Sequence, residues 1–357
     1  LVKKSYGITA ARLASLIMAC SPIAVAVSRT NNIDSLLVFT LLLSTWILFR
    51  GIRSQQMLWV IGAFAMIGVG FNMKMLQAYM VLPAFCLFYL LAFKSEWKKK
   101  LAILAAATVV LVGVSLSWAL VVDSMSKEDR PYIGGSQTNS VLELALGYNG
   151  INRLTGMNHG WGGGGAGAPN GSAPNGSIPG RMPGQDEGES PRNDPAGERI
   201  SPNGPMMEND AANNPRPEFN PGTNGEGGQP PGAAGKNQGP GMGGGGMFGT
   251  GQAGPLRLIQ SELSGQISWL LPLAALAAIV LLAGVRRRKP LTAKENETIF
   301  WLAWLIPGMV FFSIAGFFHQ YYLIMLAPPI AVLAGAGWVE LLNWYRHKEG
   351  LAKWLLP

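Results

Sequence analysis

Charged side chains are scarce in this sequence. Asp, Glu, Lys and Arg make up 13% of the 357 residues, about half of the roughly 25% found in soluble domains. Hydrophobic residues account for 48%, so a soluble globular protein is excluded and an integral membrane protein is indicated. The net charge of +8 does not indicate nucleic-acid binding, because the basic residues stand in short clusters between apolar runs.

Cysteine and histidine are also rare, with two and three residues. Cys20 and Cys86 lie inside apolar runs with no CxxC spacing, so we interpret both as small buried residues rather than disulfide partners or metal ligands. The sequence has no nucleophile elbow, zinc spacing, Walker loop or dinucleotide fingerprint. No metal site is assigned and no cofactor is firmly implied, although a divalent metal remains open.

Apolar runs of membrane-spanning length recur along the chain. A bilayer core about 30 Å thick needs roughly 20 apolar residues in a helix, whose backbone satisfies its own hydrogen bonds. We therefore predict about eight transmembrane helices, at residues 10–28, 34–49, 57–73, 76–93, 101–122, 267–285, 298–316 and 321–342.

The positions of Lys and Arg predict the orientation of these helices. Short cytoplasmic loops retain basic residues, and alternate connections on one side hold 17 of the 28 Lys and Arg residues. The short connections on the other side hold only Arg29 and Lys74. We therefore predict cytoplasmic ends for the chain and an extracytoplasmic loop over residues 123–266.

The long outer loop combines two compositions. Residues 123–158 mix apolar and polar residues like a folded surface, and residues 141–146 favour one or two helical turns. Residues 160–254 hold 28 of the 46 glycines, which predicts disorder because so few branched apolar residues cannot offset the ordering entropy. Four parts result: helices over 1–122, a folded flank over 123–158, a low-complexity loop over 159–254, and a second flank with three helices over 255–357.

The sequence opens with Leu1 and its first apolar run lacks a small-residue cleavage site, so that run is not a signal peptide. We expect the chain to be a fragment of a longer protein.

Three polar clusters mark the predicted outer ends of helices, where ionisable residues are costly unless they are paired or functional. Each has an ordinary alternative: Asp34 as a first-turn acid of its helix, Arg29 and Lys74 as snorkelling anchors, and Tyr321 as an interfacial belt residue. Their common side nevertheless favours one site for a sugar or a phosphate. The candidates in the clusters are Arg29, Asn32, Asp34, Lys74, Gln77, His319, Gln320 and Tyr321.

These same blocks resemble the bacterial membrane glycosyltransferases of family 39, which are relatives of protein O-mannosyltransferases and of the lipid A aminoarabinose transferase. The mannosyltransferase branch of Gram-positive bacteria is the most similar. The resemblance covers nearly all of the chain outside the glycine-rich middle. It rests on residues 22–34, 72–77, 147–156 and 319–328, and the third block adds Tyr148, Asn149 and Arg153 as candidates for substrate binding.

The resemblance implies an all-α, GT-C-type helical bundle in the bacterial plasma membrane, with its active site at the extracytoplasmic surface. It implies an inverting sugar transfer from a polyprenyl-phosphate donor to an envelope polymer, lipid or protein. Asp34 matches an acidic position and is the candidate catalytic residue, while Arg29 and Lys74 are candidates for phosphate contacts. The principal acid of the family is expected in an outer loop that precedes Leu1, so we expect this fragment to be inactive alone.

Two other classes remain open. A transporter or flippase would use helices broken near the membrane midplane, which Pro83, Pro272, Pro307 and Pro328 permit, but the sequence shows no midplane charge or inverted repeat. A scaffold that touches the cell wall through the outer loop is compatible with the composition of that loop.

Overall fold

The computed structural model describes residues 1–126, 128–134, 136, 138–151, 247–283, 291–316 and 318–346, without the side chains of 148–151. These residues belong to one compact unit, Leu1–Gly163 with Gln238–Pro357. Most of the predicted low-complexity loop lies outside the described residues. The part of the chain that is described contains helices and turns and no β-strand, which confirms the predicted all-α class.

The first six α-helices follow one another along the chain with short connections. The first two of them meet at a bend of 60°, where Pro22 occupies the first turn of the second helix. Three 3₁₀ segments, Met75–Val81, Ser268–Leu270 and Gln320–Leu326, each lead directly into an α-helix. The α-helices are α1 (Lys3–Cys20), α2 (Pro22–Ser28), α3 (Asp34–Ser54), α4 (Met57–Lys74), α5 (Leu82–Ala92), α6 (Trp97–Asp123), α7 (Val141–Glu143), α8 (Ser261–Ser264), α9 (Leu271–Ala283), α10 (Ala293–Ile314) and α11 (Ala327–Arg346).

Five helical stretches among the described residues are long and apolar enough to cross a membrane, and six if the bent pair α1 and α2 forms one span. All eight predicted apolar runs fall on helical segments. The lower number arises partly because Ser268–Ala283 is short and Met57–Ala92 counts as a single stretch of 36 residues. A polytopic helical membrane protein is confirmed, while the number eight stays a prediction.

The stretch Met57–Ala92 reverses its direction in the middle. Met75 adopts a positive φ of 44°, and the rings of Phe71 and Tyr79, on either side of it, lie 5.0 Å apart. At the far end, the backbone N–H of Lys94 donates to the side chain of Gln55 at 2.6 Å. The chain after α5 has therefore returned to the end of the bundle where α4 begins, so α4 and α5 are antiparallel.

Aromatic side chains fill the middle of the bundle. Phe300 of α10 contacts Phe49 of α3 and Phe88 of α5, with ring centres 5.1 and 5.5 Å apart. Trp301 and Trp304 stack at 5.8 Å, and the indole N–H of Trp304 donates to the carbonyl of Met325. These contacts hold α3, α5 and α10 around a common core and fix the ends of those helices relative to one another.

Small residues bring α11 close to two neighbouring helices. A Cβ atom at Gly335 would lie 2.7 Å from the backbone nitrogen of Ala14 in α1, and one at Gly337 would lie 2.0 Å from the Cβ of Ala277 in α9. Close approach of this kind is how helices associate in a bilayer, where burial from water supplies no driving force between them.

Gly335→Ala should therefore destabilise the protein although alanine is the better helix former. The added methyl group meets backbone atoms of α1, and such overpacking costs about 1–3 kcal/mol. Thermal unfolding of the purified protein measures the loss. Gly113→Ala is the matched control in α6, because a Cβ there has no neighbour within 4 Å and helix propensity favours alanine by roughly 1 kcal/mol. Equal melting temperatures for the two variants would contradict the close α1–α11 contact.

Candidate active site

Asp34 lies at the start of α3 and is completely buried. Its carboxylate forms an ion pair with the ammonium of Lys74, at the end of α4, and accepts a hydrogen bond of 3.1 Å from the side-chain amide of Gln77. The backbone N–H of Asp34 donates to Asn32 at 3.0 Å. Asp34 therefore lies in the first helical turn, as the ordinary interpretation requires, but its side chain connects α3 to the α4–α5 reversal.

Lys74 is directed into the bundle. Its side chain is 16% exposed, and its ammonium lies 4.6 Å from the ring centre of Tyr321 and 4.0 Å from that of Tyr322. A cation over aromatic faces is attracted by their quadrupoles, most strongly where water is excluded. This geometry favours a specific site over a snorkelling anchor for Lys74.

His319 continues the cluster towards residues 247–254. Its ring is stacked on Tyr321 at 5.1 Å with an interplanar angle of 8°, and it lies 4.3 Å from the ring of Phe248. The next residue, Gln320, donates to the carbonyl of Gly249 at 2.5 Å and accepts from Gln266 at 2.6 Å. The predicted histidine and glutamine thus join the segment after α10 to Phe248 and Gly249 and to Gln266 of the second flank.

Arg257 anchors this flank to the bundle. Its guanidinium is 1% exposed, donates to the carbonyl and hydroxyl of Thr250 at 2.8 Å each and to the carbonyl of Ala315 at 2.6 Å, and lies 4.6 Å from the ring of Phe318. Burial lowers the pKa of Arg257 from its ordinary value, yet a guanidinium remains charged. Residues 247–254, which the sequence places in the low-complexity loop, are therefore packed against the bundle through Thr250.

The first flank is held by Asp123, the last residue of α6. Its carboxylate accepts from the hydroxyl of Ser140 at 2.7 Å and from the backbone N–H groups of Val141 and Leu142 at 2.8 and 3.1 Å. These bonds satisfy the first turn of α7, which continues as a π-helix over Leu144–Ile151, so the predicted helical turns at 141–146 are confirmed. The π-helix contacts the 3₁₀ segment Met75–Val81.

Some of the predicted site residues contact one another in the structure, and others are not part of these contacts. Asp34, Lys74, Gln77, His319 and Tyr321 form one connected cluster through the contacts above, and Asn32 belongs to it through the backbone of Asp34.

Three other candidates cannot be assigned contacts. The side chains of Tyr148 and Asn149, as well as all of Arg153, lie outside the described residues. Arg29 ends α2 and is exposed to solvent, and the hydroxyls of Ser28 and Ser35, 3.3 Å apart, close the turn that joins it to α3.

The sequence offered little signal for two members of this region. Phe248 stands among glycines, and its ring contact with His319 gives it a place in the site. Tyr322 follows Tyr321 directly in the sequence, but its position beside Lys74 depends on the 3₁₀ segment Gln320–Leu326. No group of three or more potential metal ligands is found among the described residues.

The sequence of the chain is similar to those of known proteins. Residues 1–118 match the family model described as dolichyl-phosphate-mannose-protein mannosyltransferase. Two Bacillus subtilis (strain 168) proteins, named "Putative mannosyltransferase YkcB" and "Putative mannosyltransferase YycA", are 53% and 51% identical over the whole of this chain. The chain spans about half of their lengths, 51% and 52%. No solved structure matches.

Lys74→Met should lower the stability of the protein by about 3 kcal/mol, because it leaves the carboxylate of Asp34 buried without its ion-pair partner. The double variant Asp34→Asn/Lys74→Met should recover at least half of this loss, since the asparagine retains an acceptor for Gln77 and carries no charge. Chemical unfolding of both variants and of Asp34→Asn completes the cycle. Losses that simply add would show that the two side chains are not coupled.

Proposed function

We propose that the chain is part of a family 39 glycosyltransferase, the family that its motifs and these relatives indicate, and that this enzyme transfers a sugar at the bilayer surface. The observation that carries the proposal is the convergence of Asp34, Lys74, Gln77, Tyr321 and His319 at one end of the helical bundle. Polar groups gathered at one end of an apolar bundle are typical of a substrate site.

This end of the bundle is proposed to face outward. Basic residues concentrate at the opposite end, around the α3–α4 and α5–α6 connections and the start of α10, and basic residues in short loops favour the cytoplasmic side. The donor sugar would then be presented on a lipid carrier whose phosphate lies at the outer surface, within reach of the cluster.

The proposed donor is a polyprenyl-phosphate sugar. The acceptor hydroxyl attacks the anomeric carbon from the face opposite the phosphate, a base takes the hydroxyl proton, and the bond from the anomeric carbon to the phosphate oxygen breaks. The configuration inverts and the departing phosphate gains negative charge. Cations aimed at that oxygen stabilise the transition state more than the ground state.

Arg29 is the better candidate for direct phosphate contact. It is exposed on the turn that joins α2 and α3, and a guanidinium matches two phosphate oxygens at once. The charge of Lys74 is largely offset by Asp34, so we propose that this pair positions the tyrosines and adjusts the field at the phosphate. The acceptor remains an extracytoplasmic polymer, lipid or protein.

Asp34 is better suited to positioning than to proton transfer. A general base must reach the acceptor hydroxyl at about 2.6–3.2 Å, whereas the carboxylate of Asp34 is buried and holds both Lys74 and Gln77. We propose that the principal acid of the reaction is a residue other than Asp34. The role of Asp34 as the base stays a prediction, and we propose that it orders the donor side of the site.

The rings of Tyr321, Tyr322 and His319 are proposed to form the wall on which the sugar packs. Aromatic side chains commonly line ligand sites while a few polar groups fix orientation. Gln320 connects this wall to Gly249 and Gln266. Any movement of these two segments over the site would therefore also shift the rings.

The longer parent protein should release polyprenyl phosphate from a lipid-linked sugar in reconstituted membranes. Arg29→Gln should raise the KM for the donor about tenfold, because one charge-assisted hydrogen bond contributes roughly 1.5–3 kcal/mol. Initial rates at varied donor concentration provide the measurement.

Arg12→Gln is the matched control for that experiment, as Arg12 is also exposed but lies on α1 away from the turn. An unchanged KM in Arg29→Gln would remove Arg29 from the site. If the protein moved a lipid-linked sugar across the membrane without glycosyl transfer, its function would be that of a flippase and not of a glycosyltransferase.

A further inference from the structure

A second polar site lies at the end of the bundle opposite Asp34. Helix α3 connects the two ends, because Asp34 is its first residue and Arg53 lies in its last turn, and 21 helical residues span about 30 Å. Around Arg53 the ends of α3 and α5 and the start of α10 enclose a half-open cavity of about 900 Å³. This size is within the range of small-molecule sites.

Two acceptors in this cavity have no hydrogen-bond partner among the described residues. They are Oε2 of Glu297 and Oδ1 of Asn296, whose side chains line the cavity although the residues are only 3% and 7% exposed. A buried acceptor without a partner costs about 1–3 kcal/mol, so each such group requires an explanation. A ligand that donates hydrogen bonds to both supplies one.

The other charged groups of the cavity are cationic, and Ser5 and Gln55 are neutral polar residues of its lining. Arg53 approaches the other carboxylate oxygen of Glu297 at 3.6 Å and keeps 35% of its side chain exposed, while Lys4 and Lys94 also line the cavity and are exposed. Three cations against one carboxylate leave a net charge of about +2, which favours an anion. A ligand that donates hydrogen bonds to Glu297 and Asn296 should therefore carry a negative charge on another part of the molecule.

The cavity walls identify the rest of that molecule. Phe88, Leu90 and Leu91 line the side formed by α5, and Leu91 is 44% exposed. A wall of this kind, at the end of the apolar helix α5, suits hydrocarbon chains better than water.

We propose that this cavity binds the headgroup of an anionic glycerophospholipid that carries hydroxyl groups beyond its phosphate. The phosphate lies between Lys4, Arg53 and Lys94, the hydroxyl groups donate to Glu297 and Asn296, and the acyl chains leave along α5. The lipid belongs to the leaflet opposite the candidate active site, so it is not the sugar donor, and the proposal does not depend on the proposed function.

Titration of the longer parent protein with single lipids tests the headgroup. Phosphatidylglycerol should bind at least about tenfold more tightly than phosphatidylcholine, because only the former adds a net negative charge to the cationic rim. Phosphatidic acid, which has the phosphate without headgroup hydroxyls, should bind more weakly than phosphatidylglycerol. Native mass spectrometry of the delipidated protein reports the bound fraction. Equal binding of all three lipids, or displacement of phosphatidylglycerol by millimolar inorganic phosphate, would overturn the proposal.

Substitutions separate the two arms of the site. Lys4→Gln/Lys94→Gln should weaken phosphatidylglycerol about tenfold, since each lysine near a membrane surface contributes roughly 1 kcal/mol. Lys98→Gln/Lys99→Gln is the control of equal charge, because both lysines are exposed in the first turn of α6 and neither lines the cavity. If the two double variants lost equal affinity for phosphatidylglycerol, the effect would come from general surface charge and the proposed site would be refuted.

The hydroxyl arm is tested by Asn296→Leu, which has similar volume and no acceptor. Phosphatidylglycerol should lose its advantage over phosphatidic acid in this variant, while phosphatidic acid binds as before and shows that the fold is intact. An unchanged preference for phosphatidylglycerol, or a parallel loss of both lipids, would refute the role of Asn296.

Discussion

The ion pair between Asp34 and Lys74 is the contact on which the end of the bundle with the candidate site depends. It joins the start of α3 to the point where α4 reverses into α5, and it places the ammonium against Tyr321 and Tyr322. Three separate stretches of chain are thereby held at one point. A buried pair of this kind contributes little net stability compared with apolar packing, yet losing either partner is costly, so it enforces one arrangement of the three stretches over others.

The two flanks depend on the bundle in a similar way, through charged groups whose hydrogen bonds go mainly to backbone. Asp123 accepts from the first backbone N–H groups of α7, and Arg257 donates to the carbonyls that follow α10. In both cases a charge at the end of a helix satisfies backbone groups that would otherwise be unpaired. The flanks near the candidate site are therefore positioned by the termini of α6 and α10, together with apolar contacts such as the cluster of Val141 with Ala119 and Val122.

The membrane class, the all-α fold and the positions of the apolar runs could be predicted from the sequence, because helices in a bilayer must satisfy their own backbone bonds and need a known length. The polar clusters could also be located, since each interrupts an apolar pattern. The pattern could not predict the direction of a side chain. Lys74, at a membrane end, could point towards lipid or into the bundle, and its partner Asp34 lies 40 positions away in the sequence. Phe248 and Thr250 could not be recognised for a different reason, because composition alone does not reveal that single residues of a glycine-rich segment pack against a helical bundle.

The two ends of α3 show how one helix serves two electrostatic environments. At its start, Asp34 is buried and paired with Lys74, so that end holds a nearly neutral pair while Arg29 remains exposed nearby. At its other end, Arg53 faces a cavity in which Glu297 offsets only part of the cationic charge. The same aromatic packing of Phe49 against Phe88 and Phe300 lies between them and fixes their separation. Because the packed core resists deformation, binding of a ligand at Arg53 is not expected to bend α3 and so to change the position of Asp34. Coupling between the two ends would instead require α3 to move as a rigid body against α5 and α10.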